Sequence, residues 1–310
     1  MVTILYSVLM LMALGLIAAL ILNLVMKLFH VDEDPRIDVV ESLLPGANCG
    51  GCGFAGCRGF AAALVENEDI SHLYCPVGGA DSMNPAAEYL GKTPAVKEPM
   101  VATVKCSGCI QSRPKLNNYI GTGSCSIEAS LYTGESGCPN GCLGYGDCAA
   151  ACQFGAIYVD QKSGIAVVDP EKCTACGMCV AACPKQIIEL RLRRPKNKAV
   201  FVACSTTQKG AAVRKACKEG CIACKKCAKV CPFDAISFEK GIAYIDAAKC
   251  KLCRKCVNEC PTGAIKLVNL EPLKVKVAEP AKAAAPKTEP AKAVEPKTEP
   301  ANVESSKSTI

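Results

Sequence analysis

Two four-cysteine runs near the end of the chain restrict its fold more than any other feature. The first is Cys221, Cys224, Cys227 and Cys231, followed by Pro232; the second is Cys250, Cys253, Cys256 and Cys260, followed by Pro261. Both read C-x2-C-x2-C-x3-C-P. With this spacing one tight loop supplies three thiolates to a four-iron cubane, and the fourth cysteine reaches the cubane nested by the other run. The proline has no N–H and a fixed φ, so it turns the chain out of the loop. The expected ligand sets are Cys221, Cys224, Cys227 and Cys260 for one [4Fe-4S] cluster, and Cys250, Cys253, Cys256 and Cys231 for a second. Zinc is the competing reading, but zinc sites pair two C-x2-C knuckles and have no use for an even triplet followed by Cys-Pro.

The remaining composition agrees with electron carriage and with little else. The chain has 310 residues, room for two or three small domains, and 25 cysteines. That cysteine density otherwise belongs to short secreted disulfide scaffolds, whose spacings differ from these runs; the thiols therefore point to a reducing compartment. Histidine is limited to His30 and His72, neither in a motif, and tryptophan is absent. No G-x-G-x-x-G follows a strand and no G-x4-G-K-[ST] occurs, so direct flavin or NAD binding is not expected. Gly121-Thr-Gly123 reads as a turn. No residue stands out as catalytic.

The net charge is +7, and its placement is more informative than its sum. Lys215, Lys218, Lys225, Lys226, Lys229, Lys249, Lys251, Arg254 and Lys255 lie in and around the last two runs. They form either an ordinary solvated surface or a positive rim that steers an acidic electron carrier. Nucleic acid is not the expected partner, because the basic residues interleave with cysteines rather than with aromatics.

At the other end, Ile4 to Met26 is a stretch of 23 residues without a charge, enough to cross the roughly 30 Å hydrocarbon core as one helix. A signal peptide is disfavoured, since no Lys or Arg precedes the apolar run and no A-x-A-like site follows it. Lys27 and Arg36 follow the span and nothing basic precedes it, so the positive-inside rule puts the rest of the chain in the cytoplasm. Beyond a polar connector around Asp32 to Asp38 comes a different pattern: Cys49, Cys52 and Cys57 among Gly50, Gly51, Gly53 and Gly56, then Cys75-Pro76. The glycines free the backbone to wrap a cluster and aim N–H groups at it; zinc would also accept four such cysteines. Phe60, Ala63, Leu64 and Asn67 fall at helical spacing, which puts Cys57 at a helix start. Residues 91–100 read as a linker.

Residues 101–200 carry one regular run, Cys173, Cys176, Cys179 and Cys183-Pro184, and one imperfect run, Cys138, Cys142, Cys148 and Cys152, with Gln153 in place of proline. Strand-like segments surround them at Ala156–Val159, Ile165–Val168 and Ile187–Leu190, and recur around the later pair at Ala235–Phe238, Ile242–Ile245 and Ala264–Leu267. The two halves are therefore an internal repeat. Cys125-x12-Cys138-x3-Cys142 matches Cys204-x12-Cys217-x3-Cys221 in spacing, and in that register Tyr145 falls where Cys224 stands. Cys138 is the nearest replacement, giving Cys138, Cys142, Cys148 and Cys183 as one ligand set and Cys152, Cys173, Cys176 and Cys179 as another. Five four-cysteine sites then leave Cys106, Cys109, Cys125, Cys204 and Cys217. These are either ordinary buried or surface thiols, or they include a sixth site built from Cys106, Cys109 and Cys125 with Cys138 as a possible fourth ligand. About five clusters, and at most six, are expected.

The fold expected is α+β. It has a transmembrane anchor (1–26), a small glycine-rich [4Fe-4S] domain (27–92), two tandem two-cluster domains of bacterial-ferredoxin type (101–200 and 201–270), and a disordered Pro/Ala/Lys/Glu-rich tail (271–310).

These parts, in this order, closely resemble the RnfB family, a subunit of the Rnf ion-translocating electron-transport complex. The resemblance rests on the single N-terminal span, Asn48-Cys49-Gly-Gly-Cys52-Gly-Phe-Ala-Gly-Cys57 with Cys75-Pro76, Gly141-Cys142-Leu-Gly-Tyr-Gly-Asp-Cys148 and the ferredoxin pair. It covers residues 1 to about 270 and is to the longer form with two ferredoxin-like domains. It implies a membrane complex that moves electrons between reduced ferredoxin and NAD while translocating Na⁺ or H⁺. In such complexes the flavin and nicotinamide chemistry and the ion path belong to other subunits, and RnfB is the cytoplasmic wire. A ferredoxin-like subunit of another membrane hydrogenase or dehydrogenase is the alternative.

Overall fold

The computed structural model of the protein describes residues 2–28, 33–239 and 241–271. His30 and the tail beyond Glu271 lie outside the described residues.

Helix α1, Val2–Leu28, contains a 24-residue stretch, Ile4–Lys27, that is long and apolar enough to cross a membrane. At 1.5 Å rise per residue this length exceeds the hydrocarbon core. The connector ends early, because α2 (Arg36–Leu43) already includes Asp38. Helices α3 (Cys57–Glu66) and α4 (Gly79–Leu90) complete a small helical unit. Its core is Val40, Phe60, Leu64, Ile70 and Met83, all fully buried. Phe60, Ala61 and Leu64 on α3, and Met83, Ala86 and Ala87 on α4, bury one face each at the three-to-four-residue period of a helix. Cys57 is the first residue of α3, as the spacing predicts. Its N–H donates to Asn48 Oδ1 at 2.7 Å, which ties the Cys49 loop to the helix start. At the other end of α3, Lys92 Nζ donates to the carbonyls of Leu64, Val65 and Asn67 at 2.7, 2.9 and 2.7 Å, placing a cation at the helix C-terminus.

The cysteine-rich remainder contains four two-stranded antiparallel sheets. In chain order the elements are β1 (Met100–Val104), α5 (Cys125–Leu131), α6 (Asp147–Ala150), β2 (Ile157–Asp160), β3 (Ile165–Val168), α7 (Met178–Ala182) and β4 (Ile188–Leu192). A 3₁₀ turn (Pro195–Asn197) leads to β5 (Ala199–Val202), α8 (Gly210–Ala216), α9 (Lys226–Lys229), β6 (Ile236–Glu239), β7 (Ile242–Ile245), α10 (Lys255–Asn258) and β8 (Ile265–Val268). Strand β1 pairs with β4, β2 with β3, β5 with β8 and β6 with β7. The same order thus occurs twice.

The expected strands are present, four of the six shifted to start one residue later and β4 extending to Leu192. Two were not anticipated. Strand β1 begins at Met100, the last residue of the supposed linker, and β5 occupies 199–202. Each pairs with the final strand of its own half, and so closes that half into a unit with its own apolar core.

Candidate metal centres

The regular runs share one backbone. Ala175 and Gly177, Ala223 and Lys225, and Leu252 and Arg254 all have left-handed φ, between 53° and 83°. The alternation swings three successive cysteines toward one point, and a short helix (α7, α9 or α10) starts immediately afterwards. A left-handed conformation costs a non-glycine residue roughly 1–2 kcal/mol, so these loops carry strain that bound iron would offset. In the imperfect run Gly144 and Gly146 take the same conformation, at φ 84° and 89°. The loop is retained, and Tyr145 occupies the position that Cys176 and Cys224 hold elsewhere. Its ring lies against Tyr119, with centroids 6.0 Å apart.

The thiols line a series of small cavities, numbered here along the molecule. Site 1 is the glycine-rich loop: Cys49 is part of it, and Cys52, Cys57 and Cys75 pack on the core of the helical unit. Gly78 N–H donates to Cys75 Sγ at 3.3 Å. Site 2 is lined by Cys152, Cys173, Cys176 and Cys179, with Phe154, Ile157 and Val168 as apolar wall. Ala102 N–H donates to Cys173 Sγ and Ala156 N–H to Cys152 Sγ, both at 3.4 Å.

Site 3 departs from expectation. Its cavity is lined by Cys142, Cys148, Cys183 and Cys125, not Cys138. The reason is an insertion. Thirty-one residues separate Cys106 from Cys138, against twelve between Cys204 and Cys217. The extra chain carries α5, with Cys125 as its first residue. Asp147 fixes that helix end: its Oδ1 accepts the Cys125 N–H at 2.9 Å, and its Oδ2 accepts the Ser126 N–H and the Ser124 hydroxyl, each at 2.9 Å. Burial alone would raise the Asp147 carboxyl, but these N–H and hydroxyl donors hold it below its ordinary value.

Cys138 instead lines a separate cavity, site 4, with Cys106, Cys204 and Cys217. The expected grouping of Cys106, Cys109 and Cys125 is therefore not present. Cys109 turns away toward Ser112 Oγ (3.3 Å) and Glu219 Oε1 (3.6 Å), while Cys125 is in site 3. The repeat register read from the cysteines also shifts. Cys106 stands two residues after β1 and Cys204 two residues after β5, so Cys204 corresponds to Cys106, not to Cys125. A signal for this was present in the sequence: Val104-Lys-Cys106-Ser107 recurs as Val202-Ala-Cys204-Ser205.

Site 5 is lined by Cys221, Cys224, Cys227 and Cys260, with Ile265 and Phe238 beside them. In site 6 Cys250, Cys253 and Cys256 share one ligand loop, and α10 packs against α9, which Cys231 follows by two residues. Leu252 N–H donates to Cys250 Sγ at 3.4 Å. Cys224 is the one exposed cysteine of the 25. Lys225, Lys226, Lys229, Lys249, Lys251 and Lys255, in or beside the ligand runs of sites 5 and 6, are exposed, and so are Lys215 and Lys218, which flank Ala216 and Cys217 of site 4. None of them has an ion-pair partner among the described residues; Arg254 is half-buried and donates to the Glu271 carbonyl.

Burial sets the electrostatics of these cages. It pushes the Cys148 thiol up to about 12, with the Cys142, Cys125 and Cys183 thiols adding to the effect. Burial likewise pushes Cys256 up to about 12, and Cys142, Cys179 and Cys227 up to about 11. Among the described residues no three Cys, His, Asp or Glu side chains converge on a single-ion position. The all-cysteine donor sets on even C-x2-C-x2-C loops, with backbone N–H groups aimed at their sulfurs, suit iron–sulfur cubanes better than a paired-knuckle zinc site.

The Fe-S cluster family model matches residues 44–77, and the 4Fe-4S dicluster domain model matches 137–187 and 220–264. The chain is similar to the RnfB subunit of the Na(+)-translocating ferredoxin:NAD(+) oxidoreductase complex of Acetobacterium woodii, at 44% identity over 237 residues, 76% of this chain and 70% of that protein. It is 42% identical over 244 residues to the corresponding subunit of the ion-translocating oxidoreductase complex of Methanosarcina acetivorans, covering 79% and 90% of the two chains. The same subunit of the proton-translocating ferredoxin:NAD(+) oxidoreductase complex of Clostridium ljungdahlii is 40% identical over 236 residues, 76% and 82% of the two.

Proposed function

The chain belongs to the RnfB family of ion-translocating oxidoreductase complex subunits, and on that premise we propose that it is the iron–sulfur electron-transfer subunit of such a complex. The complex couples electron flow between ferredoxin and NAD to movement of Na⁺ or H⁺, the ions for which two of the relatives are named. Helix α1 anchors the chain in the bacterial inner membrane with the cluster domains on the cytoplasmic side, in keeping with Lys27 at its C-terminal end. The other subunits of the complex are its partners, and soluble ferredoxin is its donor.

Bound [4Fe-4S] clusters supply one-electron chemistry at potentials set by the surroundings of their sulfurs. The residues of the chain do the rest. Cys49, Cys52, Cys57 and Cys75 form one ligand set. Cys152, Cys173, Cys176 and Cys179 form a second, and Cys125, Cys142, Cys148 and Cys183 a third. Cys221, Cys224, Cys227 and Cys260 form a fourth, and Cys231, Cys250, Cys253 and Cys256 a fifth. The N–H groups of Gly78, Ala102, Ala156 and Leu252 donate to ligand sulfurs and so favour the more reduced, more negative state. Apolar walls such as Phe154, Val168 and Ile265 keep water out. The exposed lysines around sites 5 and 6 attract an acidic donor by long-range field.

One observation carries this reading: the cages are neighbours of one another. Gly51 of site 1 lies so close to Cys176 of site 2 that a Cβ there would stand 2.7 Å from the Cys176 carbonyl oxygen. Helix α6, with Cys148, packs against α7, with Cys179, joining sites 2 and 3, and α9, with Cys227, packs against α10, with Cys256, joining sites 5 and 6. To test it, Cys221→Ser/Cys227→Ser is introduced into the membrane complex and ferredoxin-to-NAD electron flow is followed in inverted vesicles. Flow should stop while the other subunits stay assembled; undiminished flow would overturn the reading.

A further inference from the structure

Site 4, the cavity that received Cys138, lies between the two ferredoxin-like halves and is used by none of the five ligand sets above. We propose that Cys106, Cys138, Cys204 and Cys217 hold a sixth [4Fe-4S] cluster, built jointly by the two halves, which links the two pairs of clusters.

The site has the construction of a ligand cage. Each half contributes a cysteine two residues beyond its first strand, Cys106 after β1 and Cys204 after β5, and a cysteine four residues before its first triplet position, Cys138 before Cys142 and Cys217 before Cys221. An approximate twofold relates the contributions. Ser107 Oγ donates to the Ala203 carbonyl at 3.1 Å, and its counterpart Ser205 Oγ donates to the Lys105 carbonyl at 3.0 Å. Ser107 N–H adds a bond to Ala203 O at 3.0 Å, and Lys218 N–H one to Ser112 O at 2.9 Å. These bonds cross the junction and bring the four thiols to one cavity. Its empty volume is about 390 Å³, against about 390, 340 and 330 Å³ for sites 3, 2 and 5. The walls include Val213, Ala216 and Gly220, and the guanidinium of Arg113 lies at the edge.

Position supplies the second argument. Without this site the two halves hold separate cluster pairs. With it, the succession is continuous. Cys142 of site 3 donates its N–H to Cys106 Sγ at 3.5 Å, and Gly220, which immediately precedes Cys221 of site 5, is part of the cavity wall. The cavity therefore touches a ligand loop of the inner cluster on each side. Passage through it would take one electron from one neighbour and give one to the other, with no atom transferred. Thiol use agrees: six sets of four account for every cysteine of the 25 except Cys109, which is not among the four cysteines of the site 4 wall and lies 3.6 Å from Glu219 Oε1 beside it. Three of the four cysteines lie outside the stretches matched by the dicluster model, 137–187 and 220–264.

The test is iron and acid-labile sulfide per chain, measured on anaerobically purified full-length protein with quantitative EPR after reduction. The proposal expects about 24 irons for the wild type, four for each of six cubanes. Cys106→Ser/Cys204→Ser should lose about four irons and one spin, and Cys109→Ser should lose none. A wild-type count of about 20, a double variant with the wild-type count, or loss of one zinc in place of four irons would each overturn it. If the double variant loses much more iron through misfolding, the wild-type count decides alone. Arg113→Gln gives an independent readout: Arg113 stands between site 4 and Cys142 of site 3, so removing the cation should lower the potentials of those two EPR components and leave the others in place, and a shift of one component alone or of none would count against the site.

Discussion

The ligand assignment at site 3 depends on a single carboxylate. Asp147 accepts two backbone N–H bonds and one hydroxyl bond at the start of α5, each at 2.9 Å. Those N–H groups have no partner within the helix. Asp147→Ala removes all three bonds. Hydrogen bonds to charged groups contribute about 1.5–3 kcal/mol. Asp147 is half-buried and water replaces part of what is lost, so about 2 kcal/mol is the reasonable figure for docking of α5. At 1.36 kcal/mol per tenfold this is about a thirtyfold increase in the undocked population. When reclosing outpaces capture, the rate of iron loss follows that population. An anaerobic chelator should therefore remove about four irons per chain roughly thirty times faster from Asp147→Ala than from wild type. Asp147→Asn, which keeps one acceptor, should fall between. The folded carboxyl sits below its ordinary 3.8, so the cap is complete above that value and is lost only as pH falls through the depressed one. The ratio of rates should thus stay constant between about pH 6 and 9. Identical release kinetics in Asp147→Ala and wild type would refute the placement of Cys125 in this site.

Three further outcomes are expected. Lys225→Glu/Lys226→Glu/Lys229→Glu should slow reduction by ferredoxin and flatten its salt dependence, since long-range steering is screened beyond about 10 Å at 0.1 M salt; an unchanged rate at low ionic strength would place the donor elsewhere. Gly51→Val puts a Cβ 2.7 Å from the Cys176 carbonyl oxygen and 2.9 Å from its Cβ, so it should force the loops of sites 1 and 2 apart and slow electron transfer between them, as rapid-freeze EPR would detect; an unchanged rate would count against their contact. A protease-cleavable tag after Ile310 should be cut in inverted vesicles and protected in intact cells; cutting from outside would reverse the topology.

What was legible in the sequence was what chain spacing alone determines. In the three regular runs the ligand loop is a local structure, with two left-handed residues between three cysteines, so the count of residues implies the cage. Cys57 at a helix start was local in the same way. Strands β1 and β5 were missed because each is stabilised by a distant partner: Val104 pairs with Ile188, and Val202 with Ile265. Cys138 was placed at site 3 because it is near Cys142 in sequence, but separation along the chain does not measure distance across an insertion. The twelve-residue interval shared by Cys125–Cys138 and Cys204–Cys217 is a coincidence of length. The recurring Val-x-Cys-Ser at the ends of β1 and β5 held the true register, and reading it requires the strands first. Tyr145 stands where the other loops have a cysteine, and the fourth thiol lining that cavity comes from α5, which lies in the insertion.

The central claim is that this chain carries electrons from ferredoxin. Rapid mixing of the anaerobic, fully loaded protein with chemically reduced ferredoxin, followed by visible absorbance and freeze-quench EPR, tests it most directly. The expected result is bleaching of the chain's cluster absorption together with reoxidation of ferredoxin, one electron gained for each one lost, and reduced-cluster EPR signals on the chain. A protein loaded with iron and sulfide that stays oxidised while ferredoxin stays reduced would contradict it.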